Sequence, residues 1–258
     1  MIKILDCTLR DGGYINNWEF GFDNIKQIIN SLSKSNIDYI ECGFLKNIDY
    51  KNEKSIFSKT SQLKTFSNAH NLCLMINYGD IKIEDLDLSN NITLRIAFKK
   101  HERFEALEFC KTVKDKGFKI FINPMVTDSY TNEELSDLIS RVNKISPIAL
   151  TIADTIGEMT TDEITDLFKR IDSQLDKKIA ICFHSHNNLQ MSFRNAETLI
   201  KLCHNYENSN NDFQGERQQR DLIIDSSVFG MGRGAGNLCT ELITQYLNKN
   251  YQKKYDIT

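Results

Sequence analysis

The chain has 258 residues, 40% of them hydrophobic and 26% charged, with a formal net charge of −3. That balance excludes a disordered or fibrous chain and leaves no basic excess to draw a nucleic acid. No apolar run approaches the roughly 20 residues that span a bilayer, and Met1-Ile2-Lys3-Ile4 leads into structure with no signal-peptide core, so a soluble cytoplasmic protein is expected.

Short β-branched or apolar runs alternate with longer segments of helical periodicity. The first run predicts a strand over residues 2–6, followed by a helix over 23–34. A strand over 39–44 and a helix over 54–67 come next. The strand at 72–78 precedes a weakly patterned stretch, 79–91, whose Ile81, Leu86 and Leu88 suggest a short helix. Strands over 93–98, 119–124 and 149–154 then alternate with helices over 103–116, 132–146 and 161–175. The last two strands, 180–186 and 222–227, flank a helix over 189–206, and a final helix covers 241–248. Thr131 with Glu134, and Thr160 with Glu163, have the spacing of a capping box at the start of a helix.

Eight strand–helix units in a chain of this length predict an α/β fold, a single-domain TIM (β/α)8 barrel over residues 1–258, with a doubly wound open sheet as the alternative. One composition break, ENSNNDFQGERQQRD at 207–221, reads as a polar surface insertion away from the catalytic mouth. The seven cysteines are far apart and read as reduced core fillers rather than a disulfide or zinc framework.

A barrel gathers its chemistry at the C-terminal ends of its strands. His184 and His186 end the seventh predicted strand, and alternation places both imidazoles on one face, where they can share a cation. Two polar residues closing a strand are the plain alternative. After the first strand, Arg10 stands beside Asp11, followed by Gly12, Gly13 and Tyr14. Arg10 and Asp11 could be an ordinary loop ion pair, and Asp6 a cap. If closure brings the first and seventh strands to one mouth, however, Asp11 adds the hard oxygen that two imidazoles lack. After the eighth strand, Phe229-Gly230-Met231-Gly232-Arg233-Gly234-Ala235-Gly236-Asn237 has neither the spacing nor the position of a dinucleotide fingerprint. It reads either as a plain turn or as a loop that lets Asn237 approach a metal or substrate. Glu41 interrupts an apolar strand where it could orient Arg10, and Asp154 reads as a buried structural carboxylate.

Asp6-Cys7-Thr8-Leu9-Arg10-Asp11-Gly12, Glu41-Cys42-Gly43, Ala153-Asp154-Thr155-Ile156-Gly157, His184-Ser185-His186-Asn187 and Gly232-Arg233-Gly234-Ala235-Gly236-Asn237 together resemble the DRE-TIM metallolyases. That family includes 4-hydroxy-2-oxovalerate aldolase, hydroxymethylglutaryl-CoA lyase and the isopropylmalate and homocitrate synthases. The resemblance implies a divalent metal, Mn²⁺ or Mg²⁺ with Zn²⁺ as a further option, held by Asp11, His184 and His186 with Asn237 supplying another oxygen. It implies Arg10 and Gly12 at the substrate, and Glu41 beside Arg10. Where the oxovalerate aldolases commonly have an acid–base histidine this chain has Tyr14, which becomes the candidate base together with a metal-bound water. The implied reaction makes or breaks a carbon–carbon bond between a 2-oxo acid, such as pyruvate, and an aldehyde. Acyl-CoA Claisen chemistry and a non-catalytic scaffold are the alternatives. A homodimer is one expectation about partners, since relatives often dimerise; no dehydrogenase-docking domain, nucleic acid or membrane is expected.

Overall fold

A computed structural model of the chain describes residues 1–66, 69–87, 92–208 and 220–256. Its longer strands, all parallel, are β1 (Ile2–Asp6), β2 (Tyr39–Leu45), β3 (Leu72–Asn77), β4 (Thr93–Phe98), β5 (Lys119–Pro124), β6 (Ala149–Asp154), β7 (Ala180–Ser185) and β8 (Leu222–Ser226). Pairing of β1 with β8, from Ile2↔Leu222 to Asp6↔Ser226, and of β1 with β2 at Leu5↔Tyr39 closes the sheet into a barrel. The open-sheet alternative is therefore excluded. The longer helices are α1 (Phe22–Lys34), α2 (Arg103–Asp115), α3 (Asn132–Ile145), α4 (Thr161–Gln174), α5 (Ser192–Asn208) and α6 (Thr240–Tyr251).

Alternation along each strand sorts the interior from the shell. Ile4, Ile40, Leu74, Leu94, Ile96, Ile122, Leu150, Ile152, Ile181, Phe183 and Ile224 face outward into one large apolar layer shared with the helices. Leu5, Cys73, Phe121, Ala149, Ala180, Cys182 and Ile223 fill the interior instead. Nearer the C-terminal ends the inward positions turn polar, with buried Glu41, Arg95, Asn123, Thr151, His184 and Asp225. The mouth is thus floored by charge, and the apolar packing lies below it.

The two capping boxes form as expected: Thr131 and Thr160 accept from the amides of Glu134 and Glu163, and each glutamate returns the bond. Two helical expectations fail. The segment 54–67 is not one helix; Ile56–Phe57 adds a two-residue strand to β2, and a 3-10 helix spans Thr60–Phe66. β2 is bulged between Glu41 and Phe44, and a Cβ on Gly43, at φ 144°, would lie 1.8 Å from the Ser55 carbonyl oxygen. This close approach lets the segment run beside the strand. Asp87 then caps the 3-10 turn through the amides of Thr60 and Ser61, at 2.6 and 2.8 Å. Within 79–91 a single 3-10 turn, Ile83–Asp85, replaces the expected helix, and residues 88–91 lie outside the described residues. α5 begins at Ser192 rather than 189, because Asn187 Oδ1 accepts from the Ser192 amide at 3.2 Å and starts the helix there. The polar insertion expected at 207–221 lies, at 209–219, outside the described residues.

Candidate metal centre at the barrel mouth

The chain leaves β1 in a one-turn helix, Thr8–Asp11, whose start is held by Asp6 Oδ1 on the Thr8 amide at 2.9 Å. That turn swings Arg10 and Asp11 back over the barrel. His184 ends β7 facing inward, and His186, one residue past the strand, is fixed by a bridge to Asn237 in the loop after β8. One ligand atom each from Asp11, His184 and His186 can be chosen so that all lie within 4.8 Å of one another, and all three residues are buried. Donors around one ion with bonds of about 2 Å stand at most roughly 4 Å apart, so the three side chains would draw closer together on binding it.

The donor chemistry fits a cation. His186 Nδ1 and Asn237 Oδ1 are buried and have no hydrogen-bond partner among the described residues. Asn237 Nδ2 donates to Asp11 Oδ2 at 2.7 Å, which places the amide against the cluster. His184 Nδ1 lies 3.0 Å from Asp225 Oδ2, the arrangement by which a carboxylate orients a ligating imidazole. Burial, with the neighbouring His184, pushes His186 down to about 3, so this ring is neutral and able to ligate at physiological pH. Burial alone would raise Asp11, yet Arg10 and the two imidazoles hold its carboxyl well below the usual range.

Arg10 is buried and donates through Nε to Glu41 Oε2 at 2.7 Å and through a terminal nitrogen to Asp11 Oδ1. Its other terminal nitrogen, Nη2, is buried without a hydrogen-bond partner among the described residues. A fixed cation therefore holds one free donor beside the cluster. Gly12 is buried, and a Cβ there would stand 3.0 Å from Met231 Cβ, so its bareness lets the loops after β1 and β8 meet. Tyr14 sits at the rim, 40% exposed, its ring packed by Trp18 and Phe44. Asp154 accepts from the amides of Gly157, Glu158 and Met159 and shapes the loop after β6, the structural role expected of it.

Three residues of the site were not singled out from the sequence. Arg95, with no exposed surface, pairs with Asp225 Oδ2 at 2.5 Å and reaches Glu41 Oε1 at 3.7 Å. One guanidinium thus joins the acid behind His184 to the acid behind Arg10. The signal was available, since Arg95 and Asp225 are charges set inside apolar strand runs. Arg233 is the third; its guanidinium lies over the Tyr14 ring, 4.7 Å from the centroid, and 3.4 Å from His186 Nε2.

A family model described as HMGL-like matches residues 83–202. That segment of the chain, from before β4 into α5, is similar to the HMGL-like family. Among curated relatives, an oxaloacetate decarboxylase of Mycobacterium tuberculosis is 24% identical over 254 residues, covering 95% of this chain and 70% of the relative. A 4-hydroxy-2-oxovalerate aldolase of Geobacillus thermodenitrificans is 22% identical over 257 residues, covering 96% and 70%. The solved N-terminal domain of an aldolase candidate from Bacteroides vulgatus superimposes with a TM-score of 0.77 at 29% identity, covering 98% of this chain and 82% of that one. A hydroxymethylglutaryl-CoA lyase from Pseudomonas aeruginosa shares the fold, with a TM-score of 0.69 at 13% identity, covering 99% and 87%. No helix among the described residues is long and apolar enough to cross a membrane.

Proposed function

We propose that the protein is a divalent-metal-dependent carbon–carbon lyase, an aldolase that cleaves or forms the bond between an aldehyde carbon and C3 of a pyruvate-type 2-oxo acid. The observation that carries this reading is the convergence of Asp11, His184 and His186 beside a buried arginine with a free donor. Those three side chains, with Asn237, would hold the cation, and a mixed N/O donor set suits Mn²⁺ or Mg²⁺, with Zn²⁺ also compatible. When bound, the cation supplies Lewis acidity to the substrate's carboxylate and 2-oxo oxygens.

In the cleavage direction, a base takes the proton of the C4 hydroxyl. The C3–C4 bond breaks, its electron pair forms the enolate, and the aldehyde leaves. The enolate then takes a proton at C3 to give the 2-oxo acid. Arg10 Nη2 donates to the enolate oxygen, where charge accumulates only as the bond breaks, so the interaction favours the transition state over the bound substrate. Glu41, gripping Arg10 Nε, keeps that donor aimed and prevents it from collapsing wholly onto Asp11. Tyr14, standing at the rim where oxovalerate aldolases commonly have a histidine, is assigned the hydroxyl proton. Seven unpaired cysteines fit action in the reducing cytoplasm.

Enolate formation can be tested without knowing the aldehyde. With Mn²⁺ and pyruvate in D₂O, the protein should wash deuterium into the methyl group, followed by proton NMR. Arg10→Lys should slow exchange by about 100-fold or more, and a chelator should stop it. Exchange no faster than a protein-free control with Mn²⁺ would sink the proposal.

A further inference from the structure

The two buried arginines of the site are balanced by direct ion pairs. Arg10 faces Glu41 and Asp11, and Arg95 faces Asp225 and Glu41. Three carboxylates against two guanidiniums leave one negative charge, and a divalent ion converts that to one positive charge, which a single substrate carboxylate neutralises. Arg233 lies outside this balance. It is exposed and forms no ion pair among the described residues.

Its position is nevertheless fixed. The Arg233 carbonyl accepts from the Gly236 amide at 2.9 Å, and the Ala235 amide donates to Asn188 Oδ1, also at 2.9 Å. Asn188 is itself tied to the Ile156 carbonyl at 2.6 Å. Gly234, at φ 59°, lies where a Cβ would stand 2.5 Å from Asn188 Oδ1, so the close seating of the loop depends on its bareness. The guanidinium rests over the Tyr14 ring and touches the far edge of His186, whose Nδ1 edge faces Asp11 Oδ2 at 3.8 Å. Arg10 grips the other oxygen of Asp11. The two arginines therefore each contact a different member of the cluster, Arg10 at Asp11 and Arg233 at His186.

We propose that Arg233, supported by the Tyr14 ring, anchors a second anionic group of the substrate, so that the aldehyde partner carries a carboxylate or phosphate in place of an alkyl tail. The inference rests on the aldolase reading above and names its substrate class. A guanidinium suits this role because its planar fork can give two N–H bonds to either anion, and stacking on an aromatic ring leaves its edge free to do so. The 2-oxo acid half does not need it, since Arg10 and the cluster account for that half's oxygens.

The test compares matched aldehydes as partners for pyruvate with Mn²⁺ present: succinic semialdehyde against butanal, and D-glyceraldehyde 3-phosphate against D-glyceraldehyde. Condensation is read as kcat/KM. One anionic member should exceed its neutral partner by at least about 10-fold, and the pair that shows the preference identifies the anion. Arg233→Gln should bring that ratio towards unity, Arg233→Lys should keep part of it, and Tyr14→Phe, which retains the ring, should preserve it even with slowed turnover. Deuterium exchange into pyruvate with no preference for either anionic aldehyde overturns this inference and leaves the enolate chemistry standing. Absence of both exchange and condensation overturns the two together. A ratio unchanged in Arg233→Gln, with only a lower melting temperature, makes Arg233 a loop support and also overturns the inference.

Discussion

Arg95 is a full positive charge in the middle of a barrel with no exposed surface, and its cost in desolvation is met by several partners at once. Asn123 Oδ1 accepts from its Nε and Nη2 at 3.2 and 3.0 Å, while Asp225 and Glu41 face Nη1. Asp225, which burial alone would raise, is held at about 2 by Arg95 and His184, so it remains a carboxylate behind the imidazole. Arg95→Met would leave the buried Asp225 without its guanidinium, whereas Glu41 keeps Arg10. We expect a loss of about 3–5 kcal/mol in urea unfolding and about 10- to 100-fold weaker Mn²⁺ binding by titration, because an outer partner that aims a ligand is gone. Wild-type affinity in a folded variant would show that His184 is aimed without this network. Asp6 behaves oppositely. Burial pushes its carboxyl up to about 6 even though Thr240 and Thr8 donate to it. The folded chain therefore holds this proton more tightly than the unfolded one. Its stabilising contribution is complete below about pH 4 and is lost as pH rises through 6, a cost of about 3 kcal/mol at pH 7.5. Asp6→Asn should gain stability relative to wild type as unfolding is measured from pH 4.5 to 7.5. Parallel pH curves would remove Asp6 as the source.

At the scale of elements, what was legible followed from how local each cause is. β1, β4, β5 and β6 have the bounds that the sequence predicts, because a strand buried on both faces reads as a short, largely apolar run. The capping boxes of α3 and α4 were equally legible, being contained within four residues. Thr160→Ala should therefore lower stability by about 1 kcal/mol and the melting temperature by a few degrees; no change would mean that packing of Ile164, Leu167 and Phe168 alone sets the start of α4. The segment 54–67 was misread because Ile56, Leu63 and Phe66 fall near helical spacing, whereas its conformation is imposed by the β2 bulge and by Asp87, both remote in sequence. The candidate ligands are readable because Asp11, His184 and His186 interrupt the pattern where strands end. Arg95 and Asp225 are less legible because each lies within a strand that is otherwise apolar, a pattern that predicts core. Loop contacts were not readable either. Gly157, at φ 76°, lies where a Cβ would sit 2.9 Å from the Cβ of His186, so the loop after β6 packs closely against the backbone of a candidate ligand just past β7.

Across the whole molecule, the candidate ligands join the two ends of the chain. Asp11 follows β1, whereas His184 and His186 close β7 and Asn237 follows β8, and the seam between β1 and β8 is where the barrel closes. A cation held there binds only the closed barrel, since the unfolded chain does not bring residues 11, 184 and 186 together. Binding to the folded state alone stabilises it by about 2.7 kcal/mol at 100 times the dissociation constant, which for a chain of this size raises the melting temperature by roughly 5–10 °C. Mn²⁺ should produce that shift in wild-type protein, and a chelator should reverse it. Asp11→Asn and His184→Ala should melt at temperatures that Mn²⁺ barely moves. The comparison also has an internal control, since Asp128, Asp154, Glu158, Glu163 and Asp166 line a separate acidic cavity beside α4. Ions collecting there would raise wild type and both variants alike, and an equal shift in all three would dissociate metal binding from the barrel seam.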